Sequence, residues 1–173
     1  HAHMLSGHVQ GKVLEFFSCM VQPKNVLEIG YGNGSLLNWC KEKDLNVHGI
    51  EQDNDLLARA KKLNYKVYES ISQIKDAKFD LIVLFDVLEH IEQSKIDSVF
   101  KSLKKILAKN GKIFIRVPNG SSPFGLANQH GDTTHVTTIN GAKIAFWSKF
   151  SGLKVVYSGA DTKVLMSGKL YKI

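Results

Sequence analysis

Proline is scarce in this chain, with 3 in 173 residues, and cysteine is scarcer, with 2. That scarcity argues against collagen-like, proline-rich or disulfide-stapled architectures. Cys19 and Cys40 lack the spacing of a metal site, and Cys40 reads as a small buried thiol on a helix. Long apolar runs are also missing. A membrane-spanning helix needs roughly 20 such residues, and the longest run, around Leu81 to Leu88, is interrupted by Asp86. No signal peptide is recognisable, so a cytoplasmic location is expected.

What is present is ordinary for a globular domain: 43% hydrophobic and 23% charged residues, with a net charge of +7. A positive excess can mark a nucleic-acid partner. Here the lysines are spread as Lys41 and Lys43, Lys61 and Lys62, then Lys101, Lys104, Lys105 and Lys109. No arginine–aromatic cluster accompanies them, so they read as solvated helix faces and nucleic acid is not the expected partner. His1-Ala2-His3-Met4 reads as a tag remnant, leaving residues 5–173 as one domain.

Hydrophobic periodicity predicts a helix over Val9 to Met20, a buried strand at Asn25 to Ile29, and a helix over about Gly34 to Lys43. A second strand follows at Val47 to Glu51, then a helix over Asp53 to Leu63 with Asp53 as its N-cap. Tyr65 to Glu69 reads as a third strand and Phe79 to Phe85 as the central one. Lys95 to Ala108 reads as a helix capped by Asn110-Gly111, and Lys112 to Val117 as the fifth strand. The glycine- and serine-rich stretch from Pro118 to about Thr138 reads as a long functional loop. A helix over about Asn140 to Phe150 and two closely spaced strands, Leu153 to Tyr157 and Lys163 to Leu170, complete the chain. The alternation implies a mostly parallel sheet covered on both faces, and the last two strands imply an antiparallel hairpin. Ligands of such sheets bind at the carboxyl ends of the strands.

Three segments at those ends carry the chemistry. Glu28-Ile29-Gly30-Tyr31-Gly32-Asn33-Gly34 joins the first strand to the first helix, where glycines allow close approach of a ligand. A dinucleotide fingerprint would have G-x-G-x-x-G; here the third glycine, Gly34, comes one residue early. Glu51 ends the second strand, where a carboxylate can accept hydrogen bonds from ribose hydroxyls. The third segment is Phe79 to Ile91, an apolar strand ending in D-V-L-E-H-I.

Together with Asn110 to Ile115, these segments resemble the motifs of class I S-adenosylmethionine-dependent methyltransferases, from about Val26 to Asn119. The resemblance implies a Rossmann-like methyltransferase fold with a seven-stranded sheet and S-adenosylmethionine as cofactor. It implies that Glu28, Gly30, Tyr31, Gly32 and Gly34 wrap the methionine part, Glu51 the ribose, and Gln52 with Ser70 and Ile71 the adenine. Phe85 and Asp86 would lie beside the methionyl amine and the transferable methyl.

Beyond the fifth strand, His130, Asp132 and His135 are three proton carriers close together, with His90 as an alternative base. They could instead brace the loop or bind a metal; no metal-ligand set is assigned. The segments Arg116 to Asn119, Ser122 to Gly125 and Gly131 to His135 resemble methyltransferases of bacterial capsule and lipopolysaccharide pathways. That implies a small-molecule acceptor, a sugar or sugar-linked hydroxyl. The alternatives are an RNA or protein methyltransferase, or a non-catalytic cofactor-binding subunit. A nicotinamide dehydrogenase is disfavoured by the glycine spacing.

Overall fold

Four consecutive residues of strand β1 (Asn25–Ile29) are buried, as expected for a strand covered on both faces. The computed structural model, which describes residues 22–159, puts β1 inside a five-stranded sheet. The other strands are β2 (Asn46–Ile50), β3 (Lys66–Tyr68), β4 (Phe79–Phe85) and β5 (Leu107–Arg116). Their spatial order is β3-β2-β1-β4-β5, and every neighbouring pair is parallel.

Side chains alternate across a strand, so the sheet feeds two cores. Leu27, Ile82 and Leu84 face Phe100 and Leu103 of helix α3 (Gln93–Ile106) and Trp147 of helix α5 (Gly141–Phe150). Val26, Leu81 and Val83 face Leu36, Leu37 and Cys40 of helix α1 (Ser35–Glu42) and Ala60 of helix α2 (Asn54–Lys62). Cys40 is buried, as its helical setting suggests. The eight lysines named above are all exposed. Asp53 caps α2 by accepting from the N–H groups of Asp55 and Leu56 at 2.9 and 3.0 Å. Among the described residues no helix is long and apolar enough to cross a membrane.

Several expectations are corrected. The described residues hold five strands and not seven, and they contain no antiparallel hairpin. Among the described residues Leu153 to Tyr157 forms no strand, and Val155, Val156 and Tyr157 are exposed; their apolar, β-branched character suggested one. The expected helix over 9–20, Cys19 and the strand over 163–170 lie outside the described residues. The supposed loop over 118–138 contains helix α4 (Pro123–Gly131), which begins with proline in the first turn.

Asn110-Gly111 does not cap a helix either. Helix α3 ends at Ile106 and β5 starts at once. Phe79 pairs with Leu107 but Leu81 with Lys112, so β5 is bulged between them, with Asn110 at φ 68°. A Cβ on Gly111 would lie 2.9 Å from the Phe79 carbonyl oxygen, so the backbone packs against β4 where a side chain would not fit.

The sheet order changes direction between β1 and β4, which brings the loops after these strands together. Gly30 sits there at φ +70°, and a Cβ on it would lie 2.7 Å from Val87 Cγ2. The two loops are packed directly on one another.

Candidate functional site

The glycine turn leaves the end of β1 with Gly30, Gly32 and Gly34 all at positive φ. Backbone bonds tie it to β2: the Gly30 N–H donates to the Ile50 carbonyl at 2.8 Å. One residue on, the Glu51 carboxylate accepts from the Gly32 N–H at 3.0 Å and the Gln52 N–H at 2.8 Å. The turn and the second-strand acid therefore meet in space. Glu28 is buried below them with Oε2 unpartnered. Burial, reinforced by the Glu51 charge, raises its pKa well above the usual carboxylate range. Burial likewise pushes the Tyr31 phenol up to about 12. Ser70 precedes a short turn over Ile71–Gln73 after β3, and Ile71 packs against the core.

A cavity of about 480 Å³ opens between α1 and α2, lined by Asn33, Trp39, Arg59 and Tyr65 among others. Tyr31, Gly32 and Gly34 of the glycine turn also border it, whereas Glu51 and Asp86 do not.

At the end of β4, Phe85 is buried, edge-on to Phe114 at 5.5 Å, and the Arg116 guanidinium stands 4.7 Å from its ring centroid. Asp86, at φ 53°, is ion-paired with Arg116 of β5. The next turn, Leu88–His90, tucks Glu89 inward until it is 0% exposed, with both carboxyl oxygens unpartnered. The Glu89 carbonyl accepts from the N–H groups of Val136 and Thr137 at 2.9 and 3.0 Å. These bonds bind the β4 loop to the segment after α4.

That stitch assembles a cluster. The rings of His90 and His135 stand edge-to-face with centroids 4.7 Å apart. Thr134 Oγ1 donates to Asp132 Oδ1 at 2.5 Å and lies 3.0 Å from His90 Nδ1. With the hydroxyl hydrogen committed to Asp132, His90 Nδ1 is the donor and Nε2 keeps its lone pair. His135 Nδ1 lies 3.2 Å from the Gln129 carbonyl, which can only accept, so its Nε2 also keeps a lone pair. Asp132 Oδ2 is 3.8 Å from that atom. Hydrogen bonds from the Thr134 hydroxyl and amide hold the Asp132 carboxyl below its ordinary range. One ligand atom from each of Glu89, His90 and His135 lies within 4.8 Å of the other two.

Of the residues singled out by sequence, His90, Asp132 and His135 come together here. His130 does not: it is exposed in the last turn of α4 and has no hydrogen bond or ion pair among the described residues. Glu89 was not singled out, and the only signal for it was its place between Asp86 and His90 in D-V-L-E-H-I.

Burial, above all, raises the Glu89 pKa from 4.5 to about 7, partly offset by its own backbone and the charges of His135 and Arg116. Between those values the folded chain holds a proton that the unfolded chain has released. Stability contributed by the neutral acid is therefore full below the lower value and lost as pH rises through about 7. Glu89→Gln cannot ionise. In chelator-treated protein it should be more stable than the parent at about pH 8 by on the order of 1–3 kcal/mol, allowing for water entry. The difference should close as pH falls towards 4.5; thermal scans across that range check it.

A family model described as a methyltransferase domain matches residues 2–158. The ubiquinone biosynthesis O-methyltransferase of Pelagibacter ubique is 35% identical over 107 residues, covering 56% of this chain and 43% of that protein. The chain spans 42–43% of the length of the curated relatives it matches. A solved SAM-dependent methyltransferase from Archaeoglobus fulgidus superposes with a TM-score of 0.72 at 21% identity, covering 83% of this chain and 67% of that one. An O-methyltransferase family protein from Burkholderia thailandensis gives 0.71 at 15% identity, covering 87% and 52%. At these identities the solved structures establish the shared fold.

Proposed function

The chain belongs to the methyltransferase-domain family, and from that premise we propose that it methylates a hydroxyl of a small molecule. S-adenosylmethionine is the cofactor. The observation that carries the reading is the Gly32–Glu51 contact at 3.0 Å, which sets a turn with three glycines at positive φ and a carboxylate side by side.

The residues fit that cofactor. The Glu51 oxygens have lone pairs to spare for ribose hydroxyls. Buried Glu28 Oε2 is an acceptor without a donor. Gly30, Tyr31, Gly32 and Gly34 shape the turn, Gln52, Ser70 and Ile71 border the adenine, and Phe85 and Asp86 take the methionyl end. Because Asp86 is already paired with Arg116, a methionyl ammonium there shares the carboxylate with the guanidinium. When bound, the cofactor supplies a methyl carbon activated by its sulfonium for in-line displacement.

The protein's remaining task is to aim a hydroxyl and remove its proton. In metal-free protein the proton goes to Nε2 of His135 or His90, the latter held by Thr134 and Asp132. His130, exposed in the last turn of α4, makes no hydrogen bond to this relay. The acceptor class we favour is a sugar or sugar-linked hydroxyl of surface-polysaccharide biosynthesis. It rests on the resemblance of the Arg116 to His135 segments, and the O-methyltransferase name of the Pelagibacter relative agrees with oxygen as the target.

The test is release of S-adenosylhomocysteine against a panel of sugar nucleotides, phosphorylated sugars and phenols. Turnover with a sugar hydroxyl is the expected result. Turnover confined to phenols would reassign the acceptor, and calorimetry showing no affinity for S-adenosylhomocysteine would overturn the enzyme reading itself.

A further inference from the structure

Glu89 presents an oddity: a carboxyl with no solvent exposure and no hydrogen bond from another residue on either oxygen. Buried carboxyls are normally paired or ligate a metal. One of its oxygens lies within 4.8 Å of a ring nitrogen of each of His90 and His135. Both have Nδ1 engaged, by Thr134 and by the Gln129 carbonyl, so both offer an Nε2 lone pair. Metal-binding histidines are usually fixed in this way, with the second ring nitrogen donating to an outer acceptor. The Thr134–Asp132 pair supplies such an outer layer for His90.

We propose that Glu89, His90 and His135 form a three-ligand site for a divalent first-row transition ion, with open positions that take the oxygen of the acceptor hydroxyl. The proposal rests on the methyltransferase reading only for what fills those open positions. The three ligand atoms lie within 4.8 Å of one another. Ligands held at about 2.1 Å from one ion stand roughly 3.4 Å apart, so closure needs only small side-chain adjustments. Two imidazole nitrogens and one carboxylate suit manganese, cobalt or zinc ions better than magnesium, which prefers an all-oxygen shell. Bound there, the ion would lower the pKa of a coordinated hydroxyl; with both imidazoles serving as ligands, the hydroxyl proton would leave to solvent water, which reaches the cluster at exposed His90.

The site is preorganised by the rest of the fold. Glu89 and His90 come from the loop after β4 and His135 from the segment after α4. The paired bonds from Val136 and Thr137 to the Glu89 carbonyl, and the Thr137 hydroxyl to the Ile91 carbonyl at 2.6 Å, hold the two segments together.

The experiment titrates the chelator-treated protein with Co²⁺, following visible absorption and calorimetry, with Mg²⁺ as the comparison ion. S-adenosylhomocysteine affinity is measured on the same samples. The expected result is one Co²⁺ per chain, bound far more tightly than Mg²⁺. Affinity should fall at least about 10-fold in Thr134→Val, which loosens the outer layer, and further in His90→Ala and Glu89→Gln. His90 is exposed, so its replacement does not threaten the core and stands in should Glu89→Gln fail to fold. Protein that binds S-adenosylhomocysteine but no Co²⁺ would overturn the metal site alone. So would Co²⁺ binding that survives both His90→Ala and Glu89→Gln. Co²⁺ binding that depends on these residues, without any affinity for S-adenosylhomocysteine, would support the site and overturn the methyltransferase reading.

Discussion

Glu51→Ala is expected to weaken S-adenosylhomocysteine binding by about 10²-fold or more while the protein stays folded. Two charge-assisted hydrogen bonds to ribose hydroxyls would go, each contributing about 1.5–3 kcal/mol, and about 1.4 kcal/mol is tenfold in affinity. The same carboxylate accepts from the Gly32 and Gln52 N–H groups, so its removal also releases the turn that wraps the rest of the cofactor. The cost to stability should be small, about 1 kcal/mol, since water can replace it at a partly exposed site. Glu51→Gln keeps one acceptor oxygen and should fall between the two. Isothermal calorimetry and a thermal scan on the three proteins check this. An affinity unchanged in Glu51→Ala would mean that the adenosyl end lies elsewhere.

His135→Gln is expected to lower kcat by about 10²–10⁴-fold and to leave S-adenosylhomocysteine affinity within about threefold, the signature of a group acting in the reaction step. Glutamine retains an N–H that can donate to the Gln129 carbonyl, the bond His135 Nδ1 makes at 3.2 Å, so the segment around it should stay in place. The effect is expected whether the imidazole takes the proton itself or holds an ion that acidifies the hydroxyl. Unchanged kcat would move activation of the acceptor out of this cluster.

Where burial follows directly from local pattern, sequence and structure agree. The apolar runs of β1, β2 and β4 could be strands only if both faces were covered, and they are. Asp53 could be recognised as a cap because the capping bond is local. Features that depend on distant partners were hidden. Asn110-Gly111 has the composition of a helix stop, yet its role is set by the close approach to Phe79 on a neighbouring strand. Helix α4 starts from Ser122-Pro123 in a glycine-rich stretch with little periodicity, so it looked like loop. Glu89 would ordinarily be solvated; its burial comes from the turn over Leu88–His90 and from residues 136 and 137 closing over it. The pairing of Asp86, just past the end of β4, with Arg116 at the end of β5 joins residues that are far apart in the chain.

The contact between Gly30 and Val87 has a consequence for ligand binding in general. One loop carries the glycine turn proposed to wrap the cofactor and the other leads within three residues to His90, and they are in direct contact. Occupying either pocket should therefore change the affinity of the other, by the same factor in both directions, as thermodynamic reciprocity requires. Any side chain at position 30 would meet Val87 and strain the turn, so both loops would be disturbed together.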